Sequence, residues 1–169
     1  MQSAQWMVDK HVVKMILESA QLLCTAHRIL DGRMIAAKSK TGRNVKRFIL
    51  DDARDPVLYS ATHVNHPSAV WTRTAVENYN WLFEHFYALG NEYTYRYGKT
   101  HKCFQGELSY MLQSPPFNLK QYEMTLMPSA MDDQYKISAD PIINYRNYYK
   151  FGKQRMHSWK HRQPPEWII

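Results

Sequence analysis

His11, Lys14 and Glu18 stand three, four and seven residues apart. On a helix seven residues make two turns, so His11 and Glu18 project in nearly the same direction with Lys14 between them. Such a column offers an imidazole, a cation and a carboxylate to one substrate, the groups needed for general acid–base chemistry. By spacing alone, the commoner arrangement is a solvated helix face with an ordinary Lys14–Glu18 pair, worth about 0.2–0.5 kcal/mol. Glu18 needs further support to rise above it.

A metal centre has weaker backing. His63 and His66 have an H-x-x-H spacing, and His101 lies two residues from Cys103. Imidazole and thiolate are the usual zinc ligands, but the chain has neither a paired CxxC nor an HExxH. These histidines read better as polar caps and loop residues, and no metal or other cofactor is expected. GxGxxG and GxxxxGK[ST] are also absent, which argues against dinucleotide and P-loop sites. No G-x-S-x-G elbow is present.

Charge is the stronger signal. Arg33, Lys38, Lys40, Arg43, Lys46 and Arg47 form one stretch without an acid, and Arg146, Lys150, Lys153, Arg155, Lys160 and Arg162 form another. The rest of the chain holds 10 basic and 15 acidic residues, so the net charge of +7 is concentrated in these two blocks. Two basic blocks on an otherwise acidic chain predict a surface that faces a polyanion. The second block interleaves Tyr145, Tyr148, Tyr149, Phe151 and Trp159 with its cations. Cations neutralise phosphates while rings stack on bases. Most of these five rings are nonetheless expected to pack onto the core.

The elements that must position these groups read as mainly α-helical. Ser3 is a candidate N-cap for a helix running to about Leu30, with Asp31-Gly32 as its stop. Val12, Met15, Ile16, Leu23, Ala26 and Leu30 form its apolar face, opposite Lys14, Glu18, Gln21, Thr25 and Arg28, with His11 at the border. Residues 33–47 read as a polar loop containing Gly42. A second long helix is predicted from His66-Pro67-Ser68 to about Tyr97, ahead of Gly98, with Gly90 as a weak point. Its apolar side holds Val70, Val76, Leu82, Phe83, Phe86, Leu89 and Tyr93, widened by Trp71, Tyr79 and Trp81. A short helix is predicted at 106–113, irregular chain over 114–139, and a last helix capped by Asp140 and opened by Pro141. No strong period-2 strand pattern and no internal repeat occur. The expected fold is a compact single-domain helical bundle over residues 1–169, with two long helices, irregular connecting loops and a basic aromatic C-terminal segment.

Length and composition agree. A chain of 169 residues with 44% hydrophobic and 22% charged residues buries a core without disulfides. It carries no apolar run of membrane-spanning length, no signal-peptide pattern and only two distant cysteines, Cys24 and Cys103. A soluble, cytoplasmic protein with no membrane contact is the expectation.

Asp9-Lys10-His11, followed seven residues later by Glu18, resembles the phage pyrimidine-dimer DNA glycosylases of the endonuclease V type. Thr62-His63-Val64, ahead of the second long helix, resembles that family's Gly-His-Val. Tyr148-Tyr149-Lys150-Phe151-Gly152-Lys153 resembles its aromatic, basic, glycine–lysine motif near the C-terminus. The chain is also similar to uncharacterised phage proteins that share the His11–Glu18 segment and an Asn65-His66-Pro67-Ser68 entry to the second helix. The resemblance implies a mainly helical, metal-independent enzyme that cuts the glycosidic bond of a damaged or modified pyrimidine in double-stranded DNA. It then breaks the strand by β-elimination through a Schiff base on the chain's α-amine. Glu18 would be the assisting glutamate, placed to stabilise the iminium and move protons, and His11 its catalytic neighbour. An α-amine with a pKa near ~8 is substantially neutral at physiological pH. DNA contacts are expected from Lys14, Arg43, Lys46, Arg47, His63, Tyr148, Tyr149, Lys150, Lys153 and Arg155.

The sequence departs from the family in three places, one of them the absence of the short apolar strand with which related phage proteins open. Leu17 and Gln21 stand where the family has phosphate-gripping arginines. Eight residues precede Asp9, fewer than the family places between its nucleophilic amine and the matching position, which predicts a natural start upstream of Met1. Two alternatives therefore accompany the glycosylase reading: a DNA-binding protein that breaks no bond, and a base-modifying enzyme on the same scaffold.

Overall fold

A computed structural model describes residues 1–39 and 41–168. Its architecture is mainly helical, with one two-stranded hairpin. The helices are α1 (Gln2–Trp6), α2 (Asp9–Asp31), α3 (Pro67–Thr72), α4 (Val76–Tyr97), α5 (Leu108–Met111) and α6 (Pro141–Asn147). The hairpin strands are β1 (Arg33–Lys38) and β2 (Asn44–Ile49). No helix among the described residues is long and apolar enough to cross a membrane.

The core lies between α2 and α4, which run antiparallel: Asp9 meets Arg96 at one end, and His27 meets Tyr79 at the other. Ile16, Ala20, Leu23 and Cys24 of α2 pack in one buried cluster with Tyr79, Leu82, Phe86 and Leu89 of α4. This is the 3.6-residue periodicity of both segments made physical. Val12, Ile16, Leu23 and Ala26 are buried as the pattern predicts, and Met15 and Leu30 pack at the margin.

Both long helices are interrupted near their starts. The first breaks at Met7 and Val8, where Val8 is extended, because buried Arg96 takes the carbonyls of Gln5 and Met7 at 2.9 Å each. Ser3 is no cap: it lies inside α1, and its hydroxyl meets His85 Nδ1 at 3.1 Å. The second breaks between Thr72 and Val76 at extended Ala75, and the Val76 N–H donates to Lys120 O of the irregular segment. His66 caps α3, its ring accepting from the Ser68 N–H with Pro67 in the first turn. Gly98, at φ 64°, ends α4 in the left-handed region. Gly90 interrupts nothing; it is a close-approach position, since a Cβ there would lie 2.4 Å from the Phe104 ring.

The expected polar loop at 33–47 is instead an antiparallel hairpin, pairing Arg33 with Ile49 through to Lys38 with Asn44. Gly42, at φ 79°, lies in its turn region, while Lys40 falls outside the described residues. The hairpin projects from the helices, so its strands bury little and show only a weak period of two. Three placements on the helices also differ. Thr25 and Arg28 are buried rather than solvent-facing, and Val70 is exposed. Arg28 is drawn inward because the end of β2 offers it the Phe48 carbonyl and the loop that follows offers the Asp55 carboxylate and the carbonyls of Asp55, Leu58 and Tyr59. Farther along, Asp140 accepts from the Ile142 N–H at 2.8 Å and caps α6, and 114–139 is irregular apart from a 3-10 turn at Asp133–Tyr135.

Candidate functional site

One side of α2 carries His11, Lys14 and Glu18 as the spacing predicts. Lys14 Nζ lies 2.9 Å from Glu18 Oε1, and Glu18 keeps 40% of its side chain exposed. His11 is turned inward. Its Nδ1 shares a short hydrogen bond with the Tyr149 hydroxyl, and the two rings meet edge to face with centroids 5.3 Å apart. Burial lowers the His11 pKa to about 4, helped by the charges of Lys153 and Lys14 and opposed by Glu18. Burial pushes the Tyr149 phenol up. Both partners are therefore uncharged at neutral pH, and a neutral imidazole sits beside two cations and a carboxylate.

Tyr149 reaches His11 because the C-terminal segment is fastened across the start of α2. Asp9 is the fastening point: its carboxylate accepts from the Ser158 hydroxyl at 2.6 Å, the Lys160 N–H at 2.9 Å and Arg96 at 2.9 Å. Burial pushes the Asp9 carboxyl up, but these hydrogen bonds outweigh it and hold the group below its ordinary value. Arg96, with a fully buried side chain, also donates to Glu92 at 2.7 Å. Trp159 donates its indole N–H to Trp6 O, and Arg146 lies over both Trp6 and Trp167. His157 Nε2 meets Tyr149 O at 2.8 Å.

Beyond α6 the backbone continues as a π-helical turn, Tyr148–Gly152. Such turns are rare and recur at functional sites. Gly152 permits this one to pack: a Cβ would lie 2.6 Å from the Tyr148 ring and 2.8 Å from Tyr135. The Tyr148 ring packs 4.9 Å from that of Tyr135, and Lys153 Nζ lies 4.6 Å over it. Lys150 is half-buried, Arg155 is exposed, and Phe151 points out with 57% of its surface exposed.

The far end of the same α2 side meets the loop before α3. Thr25 is seven residues beyond Glu18, as Glu18 is beyond His11, so the three form a line of about 21 Å. The Thr25 hydroxyl donates to Thr62 O and accepts from the Thr62 N–H, both at 3.1 Å. Next to it His63 is exposed at φ 48°, its ring 2.9 Å from the Thr62 hydroxyl. Arg47 joins the hairpin to this loop through Ser60 at 3.3 Å. Arg43 and Lys46 are exposed on the hairpin.

The structure thus gathers His11, Lys14, Glu18, Tyr149 and Lys153, sets His63 and Arg47 at the other end of the line, and leaves Arg43, Lys46 and Arg155 in solvent. Met1 lies elsewhere, lining a groove of about 480 Å³ with Phe83, Glu84, Tyr87 and Tyr95. Its amine helps burial lower His85 to about 4. His66 and His101 are helix caps, and no group of three or more metal-binding side chains converges among the described residues.

Sequence reasoning missed Asp9 and Arg96 as the fastening between α2, α4 and the C-terminal segment. The one available signal was Asp9 itself, an acid at a helix start ahead of a chain rich in cations. No protein-family model, curated protein or solved structure matches this chain.

Proposed function

We propose that this protein is a DNA glycosylase with associated abasic-site lyase activity, acting on damaged or modified pyrimidines in double-stranded DNA. The observation that carries this reading is the His11–Tyr149 contact, which joins two motifs 138 residues apart into one surface. That surface holds a carboxylate, a neutral imidazole and cations beside an aromatic, basic turn. Glu18 would stabilise the cationic iminium and shuttle protons during elimination. Neutral His11, desolvated and fixed by Tyr149, would hold Glu18's surroundings rather than compete for its proton. Lys14 and Lys153 would meet phosphates, with Arg47 and His63 engaging the backbone farther along. Reaching a glycosidic carbon requires a nucleotide drawn out of the stack, which gives a use to the aromatic turn that meets the α2 column at His11.

The test is borohydride trapping on duplex DNA containing an abasic site. The expected result is a covalent protein–DNA complex, with Glu18→Gln losing strand cleavage while binding within about 2-fold of the parent, since the carboxylate neither fastens the fold nor meets phosphate. Peptide mapping identifies the amine. Lys14 Nζ is the amine 2.9 Å from Glu18, whereas Met1 lines the groove on α4.

Glu18 is engaged in an ordinary i,i+4 ion pair with solvent-exposed Lys14, which favours a second reading, a DNA-binding protein that breaks no bond. Salt-sensitive binding without trapping, and with cleavage by neither the parent nor Glu18→Gln, selects it.

A further inference from the structure

Five rings are interleaved with the second basic block, and the fold takes four of them. Tyr145 donates its hydroxyl to Pro128 O. Tyr148 packs on Tyr135 and faces Lys153. Tyr149 is held by His11 and Trp167, and Trp159 by Trp6 and His157. Phe151 alone among the five has neither a side-chain hydrogen bond nor a ring contact nor a cation over it among the described residues, and it is 57% exposed.

Single exposed apolar side chains are common and by themselves imply nothing. Phe117 is more exposed still, at 81%, yet the Arg54 guanidinium lies 4.5 Å over its ring. Phe151 differs in its seat. It projects from the π-helical turn, two residues after the tyrosine that meets His11, between Lys150 and Lys153 in a stretch with no acid from Arg146 to Arg162. The turn is braced on both sides of the ring, by His11 and His157 on Tyr149 and by the Tyr135–Tyr148 pair over Gly152. A rigid turn presenting a bare ring amid cations matches a polyanion whose units carry flat aromatic faces. A base stacked on such a ring contributes without sequence preference, because every base has a π-face.

We propose that Phe151 stacks against an exposed base of the bound DNA, beside the His11–Tyr149 contact, while Tyr148 and Tyr149 serve as its scaffold. This rests on the DNA-binding reading above and adds the residue that engages the disturbed base. The ring fills the gap left in the base stack and so favours duplexes where a base has no partner or neighbour.

The test uses the full chain and a duplex carrying an abasic site opposite 2-aminopurine, with Phe151→Ala and Phe151→Trp. The parent should bind and change the 2-aminopurine fluorescence. Phe151→Ala should bind about 5- to 150-fold more weakly, the equivalent of removing one base–aromatic stack. It should also abolish the fluorescence change while leaving the salt dependence and the melting temperature as in the parent. Phe151→Trp should restore affinity and show quenching of the new indole. Equal binding by the parent and Phe151→Ala overturns the assignment alone. Absence of salt-dependent binding by the parent overturns the DNA reading and the assignment with it. A dimer of the parent that Phe151→Ala dissociates assigns the ring to self-association and also overturns the proposal.

Discussion

Residues 33–47 and 146–162 carry equal numbers of cations and no acid, yet one stretch holds its charge in solvent while the other builds it into the fold. On the hairpin, Arg33 reaches exposed Asp51 at 3.4 Å and Arg47 reaches Ser60 at 3.3 Å. Lys38, Arg43 and Lys46 have no side-chain partner among the described residues. In the C-terminal stretch, Arg146 covers two tryptophans, Lys153 covers Tyr148, and Lys160 lies 5.3 Å over Tyr97. Arg162 pairs with Glu92 at 2.9 Å and stacks 4.1 Å over Tyr95. The difference follows from what surrounds the cations. Aromatic neighbours let a cation lie flat on a ring and bury its stem, whereas the hairpin has one ring, Phe48, with no cation over it among the described residues.

Breaking the C-terminal fastening should have the largest effect. Asp9→Ala removes the acceptor shared by Ser158, Lys160 and Arg96 and leaves a buried guanidinium short of a partner. Removing one partner of a buried pair costs about 3–5 kcal/mol, so urea denaturation should show a loss of that order. Limited proteolysis should then cut after Gly152 well before the hairpin's connections to the core are attacked.

Acidification sharpens the contrast next. Burial, aided by nearby positive charge, lowers His11, His27 and His85 from 6.5 to about 4. Between those values the unfolded chain binds more protons than the folded one, so stability falls as pH drops from about 6.5 to 4, and this contribution levels off below 4. Asp9, Asp31 and Glu92 have carboxyls held below their ordinary values despite burial, so their contribution is lost in a second, more acidic phase. Residues 33–49 contain no acid and no histidine, so the hairpin's charge is constant throughout. Thermal melts from pH 8 to 4 should show a falling midpoint, less steep in His11→Gln, where one of the three histidines is gone.

The smallest stability effect is expected on the hairpin, where the functional effect should be clearest. Lys38→Gln, Arg43→Gln and Lys46→Gln together should leave the melting temperature nearly unchanged. Each phosphate that the variant no longer neutralises should lower the magnitude of the log K against log[salt] slope by about 0.9 on duplex DNA. Unchanged slope in the triple variant would move the DNA interface to Lys14, Arg47 and Arg155.

Local patterns read well where burial is continuous. The α2 and α4 faces, the His66-Pro67 and Asp140-Pro141 starts and the Gly98 stop all carry short-range physics that needs no partner segment. The hairpin was unreadable because its strands bury little on either face. The breaks at Val8 and Ala75 were unreadable because their causes, Arg96 and the Lys120 carbonyl, lie 88 and 45 residues away. In the candidate site, the His11–Lys14–Glu18 column follows from helix geometry alone. That Tyr149 rather than a base fills the space beside His11 does not.

By itself the sequence determined the helical periodicities, the caps, the concentration of charge and the residue types available for chemistry. All of these depend on neighbours within a few positions. The tertiary structure decided which cations remain free, that Arg28 and Thr25 turn inward, and that Phe151 is the bare ring of the basic turn. Those outcomes depend on which distant carbonyls, carboxylates and rings come within hydrogen-bonding or stacking distance. Sequence proximity carries no information about such distances once the chain has folded back on itself.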